Sequence, residues 1–277
     1  MEVATSLVTD NEFFSSERRD NLLIVRAKPH FVTHARDLKK IDTFFDHLEI
    51  IAHTDQVSVV IFVGPHQPSG AGDTLKFFDD FLTSRREDFL IQRLFNLVNN
   101  YTVTMAGLNK VTIHADCGHV SFFHLNGALS CDYRIVGEGT LFENAFAELG
   151  TVPKGGGGYF LSRLLGGGKA GEVLQWPRFS AEEALNLGIV DKIVPAARIE
   201  EEAIKVANNY REPQVSTMLA IRKLLKSDLG DLRRSLELED LLILNRVNSP
   251  DFKKAMAGRR AAREAGKTVS SAGVETD

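Results

Sequence analysis

The chain has 277 residues, 43% hydrophobic and 25% charged, which suits one large domain with a buried interior and is too apolar for a disordered chain. A net charge of -4 lacks the basic excess of a general nucleic-acid binder, and Arg259, Arg260 and Arg263 read as a solvated tail. Cys117 and Cys131 alone give no disulfide framework, the segment after Met1 lacks an apolar leader, and no run approaches a membrane span, so a cytoplasmic protein off the membrane is expected.

Residues 1 to about 18 and 266 to 277 are polar, without periodicity, and read as frayed ends. Leu22 to Val25 and Val57 to Val63 are rich in branched residues and read as buried strands. Between them Leu38, Ile41, Phe44, Phe45, Leu48 and Ile51 recur at helical spacing, so a strand–helix–strand unit with parallel pairing is expected. A long helical pattern follows through Leu75, Phe78, Phe81 and Leu82 to Leu90, Leu94 and Val98. Val111 to Ala115 and Tyr133 to Val136 read as strands, and Leu141, Phe142, Ala145, Phe146 and Leu149 as one face of a short helix. Pro153 and the run Gly155 to Gly158 break the chain before a helix ending near Gly166. Ser180 with Glu183 is a capping box opening a helix through Leu187, stopped by Gly188. From Ile199 the pattern is wholly helical, which sets an expected division into a core over 1–199 and a helical oligomerisation subdomain over 200–277.

Several blocks stand in a recognisable order: Cys131-Asp132-Tyr133-Arg134-Ile135-Val136, Leu149-Gly150-Thr151-Val152-Pro153, the glycine run leading to Leu161-Ser162-Arg163-Leu164-Leu165-Gly166, and Ala181 through Gly188-Ile189-Val190-Asp191-Lys192-Ile193-Val194-Pro195. Together with Ser69-Gly70-Ala71-Gly72-Asp73 upstream, they resemble the crotonase (enoyl-CoA hydratase/isomerase) family over roughly residues 20 to 265. The resemblance implies an α/β fold, a crotonase-like spiral of strand–strand–helix repeats with C-terminal helices, assembled as a homotrimer or homohexamer. It also implies an acyl thioester ligand, mostly acyl-CoA, whose enolate oxygen is held by two backbone N–H groups and which needs no further cofactor.

Such donors stabilise developing charge in a dry pocket. The resemblance assigns the first to Gly72, with Gly70 and Ala71 small enough for close approach. The second falls on Phe123, because the family's glycine triplet is here Phe122-Phe123-His124, whose two phenyl rings are expected where the thioester arm passes. The family's two catalytic glutamates correspond to Asn126 and Phe146. An amide does not take a proton near neutrality and a phenyl ring cannot, so a standard enoyl-CoA hydratase is not expected. Lys154 stands at a third position that some relatives use. His124 titrates in a useful range and becomes the candidate proton carrier, with Asn126 able to hold a water beside it.

Two glycine-rich stretches lack a nucleotide signature: Gly166-Gly167-Gly168-Lys169-Ala170 has no P-loop Ser or Thr, and Gly155 to Gly158 is not G-x-G-x-x-G. His114, Asp116, Cys117, His119 and His124 lie close in sequence but share no helical face or metal-ligand spacing, so no metal is expected. Two readings stand: a divergent enzyme of the lyase or isomerase class, or a catalytically inactive crotonase-fold scaffold or partner-binding subunit.

Overall fold

The computed structural model describes residues 6–29, 38–65, 88–210, 213–225 and 229–264. The branched runs form the centre of a seven-stranded sheet: β1 (Thr9–Asp10), β2 (Phe14–Arg19), β3 (Leu22–Ala27), β4 (Val59–Val63), β5 (Val111–Asp116), β7 (Tyr133–Gly137) and β10 (Lys192–Val194), in that spatial order. From β3 to β10 every pairing is parallel, with Leu22 opposite Val59 and Val59 opposite Val111. Parallel strands buried on both faces need apolar residues at successive positions, not alternate ones. That explains Leu22-Leu23-Ile24-Val25, in which all four side chains are buried. Leu23 and Val25 pack with Phe44, Leu48 and Ile51 of helix α1 (Leu38–His53) and Met105 of α2 (Asp88–Gly107). Leu22 and Ile24 face the other way, onto Ile199, Ala203 and Ala207 of α8 (Ile199–Ala207) and Val215 of α9 (Gln214–Leu225).

A second sheet of three short strands, β6 (His119–Ser121), β8 (Leu141–Glu143) and β9 (Arg178–Ser180), lies beside the first. The chain passes twice from large sheet to small sheet to helix: β5, β6, α3 (Phe122–Ala128), then β7, β8, α4 (Ala145–Leu149). This is the expected strand–strand–helix spiral. Helices α5 (Gly157–Leu165), α6 (Gly167–Val173) and α7 (Ala181–Asn186) complete it, and α10 (Gly230–Asn248) and α11 (Pro250–Glu264) close over it. Phe252 and Met256 of α11 reach the same core as Phe122, Phe142 and Phe179. The capping box at Ser180 and Glu183 is present, and Gly188 has a left-handed φ of 72°.

Two expectations are corrected. The chain start is no frayed end from residue 9 on: β1 and β2 form an antiparallel edge, anchored by the buried Phe13 and Phe14. Sequence alone hides this because β2, Phe-Ser-Ser-Glu-Arg-Arg, buries only Phe14 and Ser16 and turns polar on the exposed edge. Leu141 and Phe142 are strand, not helix. They pair with β6 and β9, and the helix starts after Asn144, whose side chain accepts from the Ala147 N–H at 3.2 Å.

Candidate active site

The parallel strands β3, β4 and β5 end side by side, the edge at which open α/β sheets bind ligands. Here β5 presents His114 and Asp116, and α3 brings in His124. Asp116 lies between the two imidazoles, 2.8 Å from His114 Nδ1 and 3.0 Å from His124 Nε2. Both are ion-pair contacts, and the two ring nitrogens are buried with no further hydrogen-bond partner. The rings meet edge-to-face at 5.1 Å. Burial would raise the Asp116 carboxyl, but the flanking imidazoles outweigh it and hold the group well below the usual carboxylate range. For His124, burial pulls the imidazole down and the Asp116 carboxylate outweighs that, leaving its pKa above the ordinary value. A cavity of about 30 Å³ abuts both histidines, walled by Phe14, Phe44, Phe62 and Tyr101.

His124 reaches this position because α3 starts at Phe122, capped by Ser121, whose Oγ accepts from the His124 N–H at 3.3 Å. Phe123 contributes an amide of the same first turn. The rings of Phe122 and Phe123 both pack on the core cluster. Phe122 is wholly buried against Phe179, and Phe123 packs half-buried on the same cluster. Gly70, Ala71 and Gly72 lie outside the described residues.

Asn126 is fully buried and lies against the start of α5. Its Nδ2 donates to the Lys154 carbonyl at 3.0 Å, and its Oδ1 lies against the backbone of Gly157 with no hydrogen-bond partner. Phe146 is core, packed with Leu125 and Leu149.

Sequence reasoning missed a second polar cluster behind Asn126. Lys154, 1% exposed, places its ammonium 2.8 Å from Asp240 and beside the Asn99 side-chain oxygen, with the Glu239 carboxylate 3.8 Å away. Glu239, from α10, accepts the N–H groups of Gly155 at 3.0 Å and Gly156 at 3.1 Å, a carboxylate at the N-terminal turn of α5. Burial raises the Glu239 carboxyl to about 7 against the opposing pull of Lys154 and the two amides. Lys154 was singled out in the sequence, but its acidic partners showed there only as a Glu-Asp pair inside a leucine-rich helix.

A family model described as enoyl-CoA hydratase/isomerase matches residues 32–265, and the chain belongs to that family. Similar proteins include YhaR of Bacillus subtilis, which carries the name enoyl-CoA hydratase/isomerase, at 24% identity over 83% of this chain and 81% of that protein. The trans-2-decenoyl-[acyl-carrier-protein] isomerase of Streptococcus mutans is 27% identical over 59% of this chain, which spans 63% of the relative's length. Among solved structures, the enoyl-CoA hydratase of Bacillus halodurans superposes with a TM-score of 0.74 at 20% identity, covering 89% of this chain and 100% of that one. That likeness is one of fold. Among the described residues no helix is long and apolar enough to cross a membrane.

Proposed function

We propose that this protein transforms an acyl thioester, carried on coenzyme A or an acyl carrier, through an enolate, with His124 moving the proton. One observation carries the reading: an imidazole–carboxylate pair, the partly buried His124 and the buried Asp116, stands one residue beyond the Phe123 amide at the ligand-binding edge of the parallel sheet. His124 removes a proton from the carbon next to the thioester carbonyl, and the electron pair moves onto the oxygen. Backbone amides of Phe123 and Gly72 receive that charge, and Asp116 orients and balances the imidazolium. Return of the proton to the far end of a conjugated dienolate gives an isomerase; loss of a leaving group from the carbon β to the thioester carbonyl, with formation of the α,β double bond, gives a lyase. Hydration by two carboxylates has no support, since Asn126 and Phe146 fill those slots.

The second reading is an inactive scaffold or partner-binding subunit, favoured by the same two missing acids. Calorimetric titration with crotonyl-CoA and acetoacetyl-CoA, followed by the enoyl absorbance, separates the two. Binding with turnover that His124→Ala lowers at least ~100-fold supports the enzyme, the range typical of a lost acid–base group. Absence of any thioester binding would leave the scaffold.

A further inference from the structure

We infer that His114, Asp116 and His124 form a binding site for a first-row divalent transition-metal ion of the Zn2+ type. This goes beyond the thioester reading and stands on the geometry of the three side chains alone.

The first observation is the donor set. His114 Nδ1, His124 Nε2 and an Asp116 oxygen lie within 4.8 Å of one another. Two ligand atoms on one zinc ion, each about 2.0–2.2 Å from it, sit a little over 3 Å apart. His114 Nδ1 stands 2.8 Å from Asp116 Oδ2 and His124 Nε2 3.0 Å from Oδ1, both near that spacing, one on each oxygen of the carboxylate. Two imidazole nitrogens with one carboxylate suit Zn2+, Co2+ or Fe2+, whereas Mg2+ and Ca2+ demand oxygen.

The second is that both ring nitrogens are buried and lack a hydrogen bond. Buried polar atoms normally find a hydrogen-bond partner, and an ion held between the two nitrogens and the carboxylate would satisfy both.

The third is Gly64, at the end of β4. A Cβ there would fall 1.8 Å from Asp116 Oδ1 and 2.9 Å from His124 Nε2, so the cluster can pack against this strand end only because the residue is glycine. The adjoining cavity of about 30 Å³ has room for a water to complete the coordination.

Sequence spacing hid the site. The ligands come from a strand and a following helix, and Asp116 meets His124 only because β6 and the start of α3 turn the chain back. Cys117, next in sequence, packs instead among Val63, Tyr133 and Ile135 on the other side of the sheet, so the thiol is no ligand.

An ion here takes the His124 lone pair that the proposed proton transfer uses, so the loaded protein should be silent in turnover and revive on chelation. The test is calorimetry of the full chain, stripped with a chelator, against Zn2+, with Co2+ absorption as the spectroscopic probe. The expected result is one ion per chain, with visible ligand-field bands and no thiolate charge-transfer band. His114→Ala and Asp116→Asn should each weaken binding at least ~10-fold while circular dichroism stays unchanged. Cys117→Ser should bind as the wild type does. Should a variant misfold, the absorption spectrum of wild-type protein still decides whether nitrogen and oxygen or sulfur hold the ion. No binding at micromolar zinc, undiminished binding in both variants, or a sulfur band that Cys117→Ser removes would each overturn the site. Zinc binding is read directly, so a protein without thioester turnover could still pass this test, and an active one could fail it.

Discussion

Replacing Glu239 by Gln tests whether α10 clamps the glycine turn with a buried, proton-holding carboxyl. In the folded chain this carboxyl titrates at about 7, chiefly because burial disfavours the charge. Unfolded, it returns to the ordinary value of 4.5. The folded state therefore binds the proton more tightly, and the linkage sign follows. The stabilisation is fully present below pH 4.5 and is lost as pH rises through 7. At about 1.4 kcal/mol per pH unit, the interval from 4.5 to about 7 amounts to about 3 kcal/mol. The amide of the Glu239→Gln variant keeps an oxygen for the Gly155 and Gly156 N–H groups but holds no titrating proton, so the variant's stability lacks this component. Urea unfolding of both proteins between pH 4.5 and 8 is the assay. The wild-type curve should fall relative to Glu239→Gln by about 3 kcal/mol, with the steepest change between pH 5 and 7. Parallel curves would refute the claim that Glu239 is buried on that turn.

Arg222→Met should cost about 3–5 kcal/mol in chemical denaturation, because it strands Asp132 in the core. Arg222 pairs there with Asp132 and also donates to Thr112 Oγ1 at 3.0 Å and the Ala106 carbonyl at 3.1 Å. Gly157→Ala should cost about 1–3 kcal/mol, since its Cβ would lie 2.7 Å from Asn126 Oδ1, and Asn126→Ala in the same chain should recover most of it in a double-mutant cycle. Asp116→Asn should reduce thioester turnover at least ~100-fold while leaving KM within a few-fold, as measured on the substrate that binds best. Light scattering should give three or six times the chain mass, and charging the exposed Leu238, Leu241 and Leu242 with Glu should reduce it to one. A wild-type monomer would end that expectation.

Much of the fold is legible in the residues because its signals are local. Four consecutive apolar side chains in β3 announce a doubly buried strand, Ser180 and Glu183 announce a cap, and Asp132 marks a motif whose reason is the buried pair with Arg222. The edge strands β1 and β2 and the three-residue strand β8 were not legible, because each depends on a partner rather than on its own pattern. The site divides the same way. Counting along the motifs put Asn126 and Phe146 in the glutamate slots, and both are buried there without an acid. Glu239, which holds the α5 turn, lies 83 residues from Gly156 and could not be found by spacing.

Sequence alone determined the family and the order of the spiral's turns, since apolar runs, glycine breaks and motif order act over a few residues. Only the tertiary structure decided that Asp116 stands between His114 and His124, that the Phe122 ring points into the core, and that Lys154, Glu239 and Asp240 share one buried cluster. Those contacts join β5 to α3, α3 to β9, and α10 to the α5 turn, and their distances are set by how layers pack rather than by how far apart residues lie along the chain.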